Sequence, residues 1–357
     1  MYHNKKPSYL IIAIVFVLSM TSNSVLAQKP YRVGTTTASF LEIGYGSAGS
    51  AMGDAYVSVA RDLSAQYWNP AGLAFMEQNE AQFVRQPWVA DIASTFAGVG
   101  LVLPEIGTLA LGFYHIDFGQ QEVTTIQQQE GTGEMFTASD FALALSYSRR
   151  LTHWFAFGAS AKYVSSQIWH SNASAMAIDL GVQLNTDFLS MTGERENGMS
   201  IGMSISNYGT RMKYNGTDLI NPIDILPNER GNFKDTPGQF RLDQWELPLI
   251  FRLGVSIQPI VAGRSRLILS ADALHPNNNS ESVNLGAQYH YKVPGAGTFY
   301  LRGGYKALFM NESEYGLTLG GGAEIRMMHN LALQIDYAYR GIGILGQAHS
   351  YSFGVKF

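Results

Sequence analysis

Residues 141–148 read Phe-Ala-Leu-Ala-Leu-Ser-Tyr-Ser. Odd positions are large and apolar and even ones are tiny or polar, the period of a strand with one greasy face. The pattern recurs at Met176, Ile178, Leu180, Val182 and Leu184, at Met199, Ile201, Met203 and Ile205, from Leu249 to Ile257, and from Leu331 to Tyr339. The interleaved residues include Arg252, Gln258, Gln334, Asp336 and Arg340, and charges on that face suit a wet lumen better than a dry sandwich core. The chain closes on Tyr351-Ser352-Phe353-Gly354-Val355-Lys356-Phe357. Because this end alternates too, it reads as a paired strand rather than a fraying tail.

About fourteen such segments can be counted, near 80–87, 92–103, 107–118, 138–151, 154–168, 174–187, 198–208, 247–259, 265–275, 281–292, 297–307, 314–327, 331–340 and 348–357. An even count is what single-chain bacterial barrels show. If the last strand ends in the periplasm, the connectors after even-numbered strands are mostly short, such as Pro104-Glu105-Ile106, Leu151-Thr152-His153 and Met328-His329-Asn330. The two longest, about Gly119–Thr137 and Gly209–Glu246, fall on the other side, as external loops should. The expected fold is therefore an all-β membrane protein: an antiparallel outer-membrane β-barrel of about fourteen strands. A large soluble sandwich or propeller would need the second face of every strand covered as well.

Composition agrees. The 357 residues include 37 glycines, 19 tyrosines and 19 phenylalanines with only 15% charged residues, and the hydrophobicity is dispersed, as in strands that show lipid every second side chain. Lys5 and Lys6, the apolar run Leu10–Met20 and the small residues before Gln28 read as a secretory signal peptide over 1–27. Without those two lysines the formal charge falls from −4 to −6, which gives no basis for a nucleic-acid partner. The absence of cysteine excludes thiol chemistry and a disulfide framework.

Between Gln28 and Gln78 the period changes. Met52, Ala55, Val59 and Leu63 are spaced by three and four, predicting one or two short helices in a glycine-rich segment too polar to cross a membrane. The expected division is a plug segment over 28–78 and a barrel over 79–357, with Trp68, Asn69, Pro70 and Gly72 forming a tight turn in the plug. Arg61 and Asp62 beside that turn are expected to form salt bridges within the plug. Asp336, Arg340, Arg252, Arg302 and Lys306 are expected to pair with one another or with the plug.

No catalytic, cofactor or metal constellation emerges. The eight histidines show neither HxH nor HExxH spacing, and Gly320-Gly321-Gly322 continues as strand rather than opening a helix, so an enzyme is not expected. The long loop carries Leu219, Ile220, Ile223, Ile225 and Leu226, a density of aliphatic residues that marks either a partner-binding surface or a cap over the mouth.

The run GSAMGDAYVSVARDLSAQYWNPAGLA, Gly49–Ala74, resembles the amino-terminal signature of the FadL-like outer-membrane barrels. WVADI (88–92), SYSRRLTHWFAFGASAKY (146–163), SISNYG (204–209), ELPLIFRLGV (246–255), ADALHPNNN (271–279) and IDYAY (335–339) narrow the resemblance to the PorV/PorQ family and span nearly the whole mature chain. The resemblance implies a fourteen-stranded barrel with its amino-terminal segment in the lumen. It also implies association with type IX secretion, whose components or cargo carboxy-terminal domains would be partners at the external loops 219–226 and 120–135. Tyr351, Phe353, Val355 and Phe357 resemble the signal read by the barrel-assembly machinery during biogenesis in the lipid outer membrane. The alternative, from the wider superfamily, is passive transport of hydrophobic small molecules.

Overall fold

The computed structural model describes residues 32–90, 92–231, 235–310, 312–328 and 330–357. The expected signal peptide and His329 lie outside them. Fourteen long strands wind antiparallel around the molecule: β1 Glu80–Pro87, β2 Ala93–Leu103, β3 Gly107–Glu122, β4 Met135–Thr152, β5 Phe155–Ile168, β6 Ser171–Asn185 and β7 Ser200–Gly209, then β8 Ile250–Ala262, β9 Ser265–Pro276, β10 Ser282–Val293, β11 Gly297–Leu308, β12 Leu317–Met328, β13 Leu331–Gly341 and β14 Gln347–Lys356. Each pairs with the next, and β1 pairs with β14 in the register Glu80↔Lys356 to Arg85↔Tyr351, which closes the barrel. Closure leaves no unpaired edge among backbone groups that lipid cannot satisfy.

The alternation sorts side chains as period two requires. On β4, Ala142 and Ala144 are fully buried while Leu143 and Leu145 are 44% and 59% exposed on the outer surface. Tyr351, Phe353, Val355 and Phe357 project outward in the same way, and Ser350 and Ser352, which alternate with them, point inward. An apolar outer face and a polar or small inner face make a membrane barrel.

One end carries connectors 104–106, 153–154, 263–264 and 294–296, with 186–199 the longer exception. The other carries 123–134 and 210–249 and is therefore external. The first of these loops is shorter than the sequence implied. After a bulge between Asp117 and Gln120 the β3–β4 ladder resumes as far as Glu122↔Met135, carrying paired backbone beyond the apolar band.

Residues 39–75 fill the interior with short helical pieces: a 3-10 turn Ser39–Glu42, α1 Ser47–Ala51, α2 Ala65–Trp68 and a two-turn 3-10 helix Pro70–Phe75. The one or two short helices expected between Ala48 and Trp68 are present as α1 and α2, but at the two ends of that stretch, and none runs through Met52, Ala55, Val59 and Leu63. Gly53 and Asp54 both take left-handed backbone, φ 67° and 64°, and stop α1 after one turn. All but Val59 of those four residues are nonetheless fully buried.

Candidate functional site: lumen, external vestibule and loop hairpin

The wall meets this inner segment through glycine. Gly98↔Gly112, Gly158↔Gly181, Gly202↔Gly254 and Gly286↔Gly304 face each other across neighbouring strands. A methyl group on Gly158 would sit 2.3 Å from the Pro70 carbonyl carbon, and one on Gly304 2.3 Å from that of Met52. No side chain fits at such separations, so glycine here allows backbone to pack on backbone.

The predicted turn is the centre of that contact. Asn69 is fully buried; its amide Nδ2 donates to the carbonyls of Val57 and of Val182 on β6, each at 3.0 Å, and its Oδ1 accepts the Ala71 N–H at 3.1 Å. Trp68 Nε1 donates to the Tyr45 carbonyl at 3.0 Å, and the ring meets Tyr67 edge-on at 4.8 Å. Pro70 is buried against β5, and a methyl on Gly72 would strike the Ala60 carbonyl. These four residues fasten the segment to itself and to the wall.

Ion pairs reinforce the fastening. Asp54 is held by Arg340 at 2.7 Å and Lys306 at 2.6 Å. Burial pushes its carboxyl up, but the two cations more than offset this and hold it below the usual carboxylate value. Arg302 pairs with Asp336 at 2.5 Å within the wall, and Arg252 donates to Ser206 and lies over the Tyr67 ring. Arg61 and Asp62 do not form the expected salt bridges. Asp62 instead accepts from Ser64 N and Oγ, forming its own turn, and Arg61 reaches Asn185 and stacks over Phe75.

Toward the external end the packing opens into a vestibule of about 910 Å3. Its walls include Phe40 and Ile43 of the inner segment, Phe118 and Phe136 at the ends of β3 and β4, and Trp245 and Tyr214 from the long loop. One polar corner is formed by Asp140, which accepts from Ser166, itself bonded to Tyr214 at 2.7 Å. Such a concave, mostly apolar space, whose polar lining also includes Glu42 and Gln121, suits an apolar molecule or side chain that carries a polar end. Sequence reading singled out none of these residues. Large residues at inward-facing positions near the external strand ends, where small ones prevail elsewhere, were the available signal.

The vestibule's rim is clamped by Glu246. Its carboxylate accepts from Arg32 at 2.6 Å and Arg211 at 2.8 Å, and its backbone carbonyl takes the Thr37 N–H at 3.0 Å. Those two hydrogen bonds hold the Glu246 carboxyl below its ordinary value. The long loop also carries a hairpin, Ile220–Ile223 against Thr236–Gln239. Ile220, Ile223, Ile225 and Leu226 are exposed there, with Leu219 half-buried at its base, so they stand off the mouth rather than folding into it. Among the described residues no three His, Asp or Glu side chains converge as a metal would need.

Residues 26–228 match the family model described as type IX secretion system protein PorV. No curated protein matches. In structure the chain is similar to a Pseudomonas aeruginosa FadL homologue, with TM-score 0.50 and 13% identity over 87% of this chain and 98% of that one. It is also similar to the Pseudomonas putida toluene transporter TodX (0.54, 12%, over 88% and 97%) and the Ralstonia pickettii toluene transporter TbuX (0.53, 11%, over 88% and 97%). At these identities the likeness is one of fold. With more than half its length matched and its barrel closed, the chain is an outer-membrane β-barrel that belongs to the PorV family.

Proposed function

We propose that this barrel serves type IX secretion by binding a protein partner at its external face, either machinery or the carboxy-terminal domain of cargo, and that it works by binding rather than catalysis. Export by residues 1–27 and division into a plug over 28–78 and a barrel over 79–357 belong to the same reading. The observation that carries it is the hairpin: four aliphatic side chains exposed on a loop raised over a filled barrel, a surface that gains by being covered. Family membership supplies the process; the 120–135 connector would complete the docking face.

The test is capture from native outer membrane with Ile223→Ser/Ile225→Ser against wild type, with barrel integrity checked by heat-modifiable gel migration. Loss of co-purifying secretion proteins from an intact barrel is the expected result. Undiminished capture would remove the hairpin from the docking role.

A second reading is favoured by the vestibule, whose volume and apolar walls suit a hydrophobic small molecule. Transport would further require the inner segment to move. Mass spectrometry of lipids extracted from the purified protein separates the two, since a stoichiometric apolar ligand without protein partners would favour transport.

A further inference from the structure

At the opposite end of the lumen a recess of about 520 Å3 leads inward to a chamber of about 200 Å3, the two sharing Arg61 and Lys356 in their walls. Across the chamber floor Arg266 on β9 faces His290 on β10, which in turn faces Tyr300 on β11. Two of the chamber's four cationic side chains are neutralised: Lys356 by Glu324 at 2.6 Å and Arg302 by Asp336. Arg61 and Arg266 have no ion-pair partner among the described residues. The carboxylate that does line the chamber, Asp62, is turned to Ser64.

Two guanidiniums with no carboxylate in direct contact are costly to confine together, although Glu77 and Glu196 of the outer recess act on Arg61 from a distance. Burial first, and then the neighbouring Arg266, push Arg61 below its ordinary value, with Glu196 and Glu77 offsetting only part of this, and its one side-chain hydrogen bond is the long contact to Asn185 at 3.4 Å. Uncommitted polar atoms accompany them: the fully buried Ser58 hydroxyl and the amide oxygens of Gln258 and Gln334, both buried, have no hydrogen-bond partner among the described residues. The amide nitrogens are already used, Gln258 on the Glu196 carbonyl and Gln334 on Asp336. The chamber therefore offers cationic donors and a hydroxyl on one hand and bare acceptors on the other. A carboxylate would satisfy only the donors. A protonated phosphate supplies acceptor oxygens together with a P–OH that can donate to an amide oxygen.

We propose that the inner chamber is a binding site for a phosphate group entering from the periplasmic end, held by Arg61 and Arg266 with Ser58, Gln258 and Gln334 completing its hydrogen bonds. The group is either the free ion or a phosphate monoester whose remainder occupies the outer recess.

The test titrates full-length protein in detergent and phosphate-free, low-salt buffer with inorganic phosphate, by calorimetry and by 31P line broadening. Saturable binding is expected, about tenfold weaker in Arg266→Gln and partly retained in Arg266→Lys, with the barrel checked by gel migration. The 31P experiment on wild type needs no variant, so a misfolded substitution does not blunt the test. Glycerol 3-phosphate binding as tightly as phosphate identifies a monoester as the occupant; its exclusion identifies the free ion. No saturable binding to wild type, equal affinity in the variants, or displacement by equimolar acetate overturns the assignment.

Discussion

Asn69 shows how much a single side chain can fasten. It joins two parts of the inner segment to β6 with one amide and no exposed surface, so Asn69→Ala strands the Val57 and Val182 carbonyls and the Ala71 N–H away from water. The expected cost is about 1–3 kcal/mol, read as a lower thermal midpoint and faster proteolysis of the inner segment in a barrel that still migrates as folded. Gly158→Ala places a methyl group against the Pro70 backbone, which cannot swing away as a side chain could. It should reach the upper end of the roughly 1–3 kcal/mol typical of overpacking, while Gly316→Ala, where the nearest atom to the added methyl lies 4.0 Å away, leaves packing unchanged. Asn69 was legible as part of a turn because Asn-Pro and a following glycine are local chemistry. Its two long-range bonds were not, since nothing in the local sequence shows that residue 182 passes alongside. Asp54 was missed for the same reason: its cations lie on strands far along the chain.

Among the connecting elements, the Glu246 clamp ties the amino-terminal end of the described chain to the base of the long loop. Its carboxyl sits below the ordinary value in the folded protein, so the clamp is at full strength above the free-glutamate value of about 4.3 and is lost as pH falls below it. The chain has no cysteine, so Val33→Cys, at an exposed position, carries the only nitroxide label. Its spectrum should be restrained at pH 7, mobile on acidification, and mobile already at pH 7 in Glu246→Gln. A label equally mobile in all three states would mean that the clamp does not order this segment. The strands were readable because alternation repeats over many residues, and errors of register would have inverted entire faces. The inner segment was less so: the spacing of Met52, Ala55, Val59 and Leu63 reports burial correctly, but Gly53 and Asp54 turn the chain before a helix can grow. The hairpin's aliphatic residues were visible, whereas whether they cover the mouth or stand clear of it depended on pairing between residues 220–223 and 236–239.

Seen as a container, the barrel is closed in two senses, by the β1–β14 pairing and by what it encloses. Bilayer recordings of the intact protein should accordingly show no steady ionic conductance. Asp54→Asn, which leaves Arg340 and Lys306 facing a neutral group, should destabilise the inner segment by about 3–5 kcal/mol and give intermittent openings. A constant open current in the unaltered protein would contradict the packing described. Strand number and polarity were legible because they are set by period and parity, while the vestibule and the polar chamber arise where distant strands converge and have no local signature. The described chain begins at the external rim, beside Glu246, and reaches the periplasmic rim at Glu80, so its first stretch runs the length of the pore before the first strand starts. A ring whose inner surface is stripped to hydrogen atoms where it grips that stretch leaves no clearance for threading afterwards. The order of biogenesis follows: the amino-terminal segment is laid in place while the wall is still open, and the seam between the first and last strands is sewn around it last.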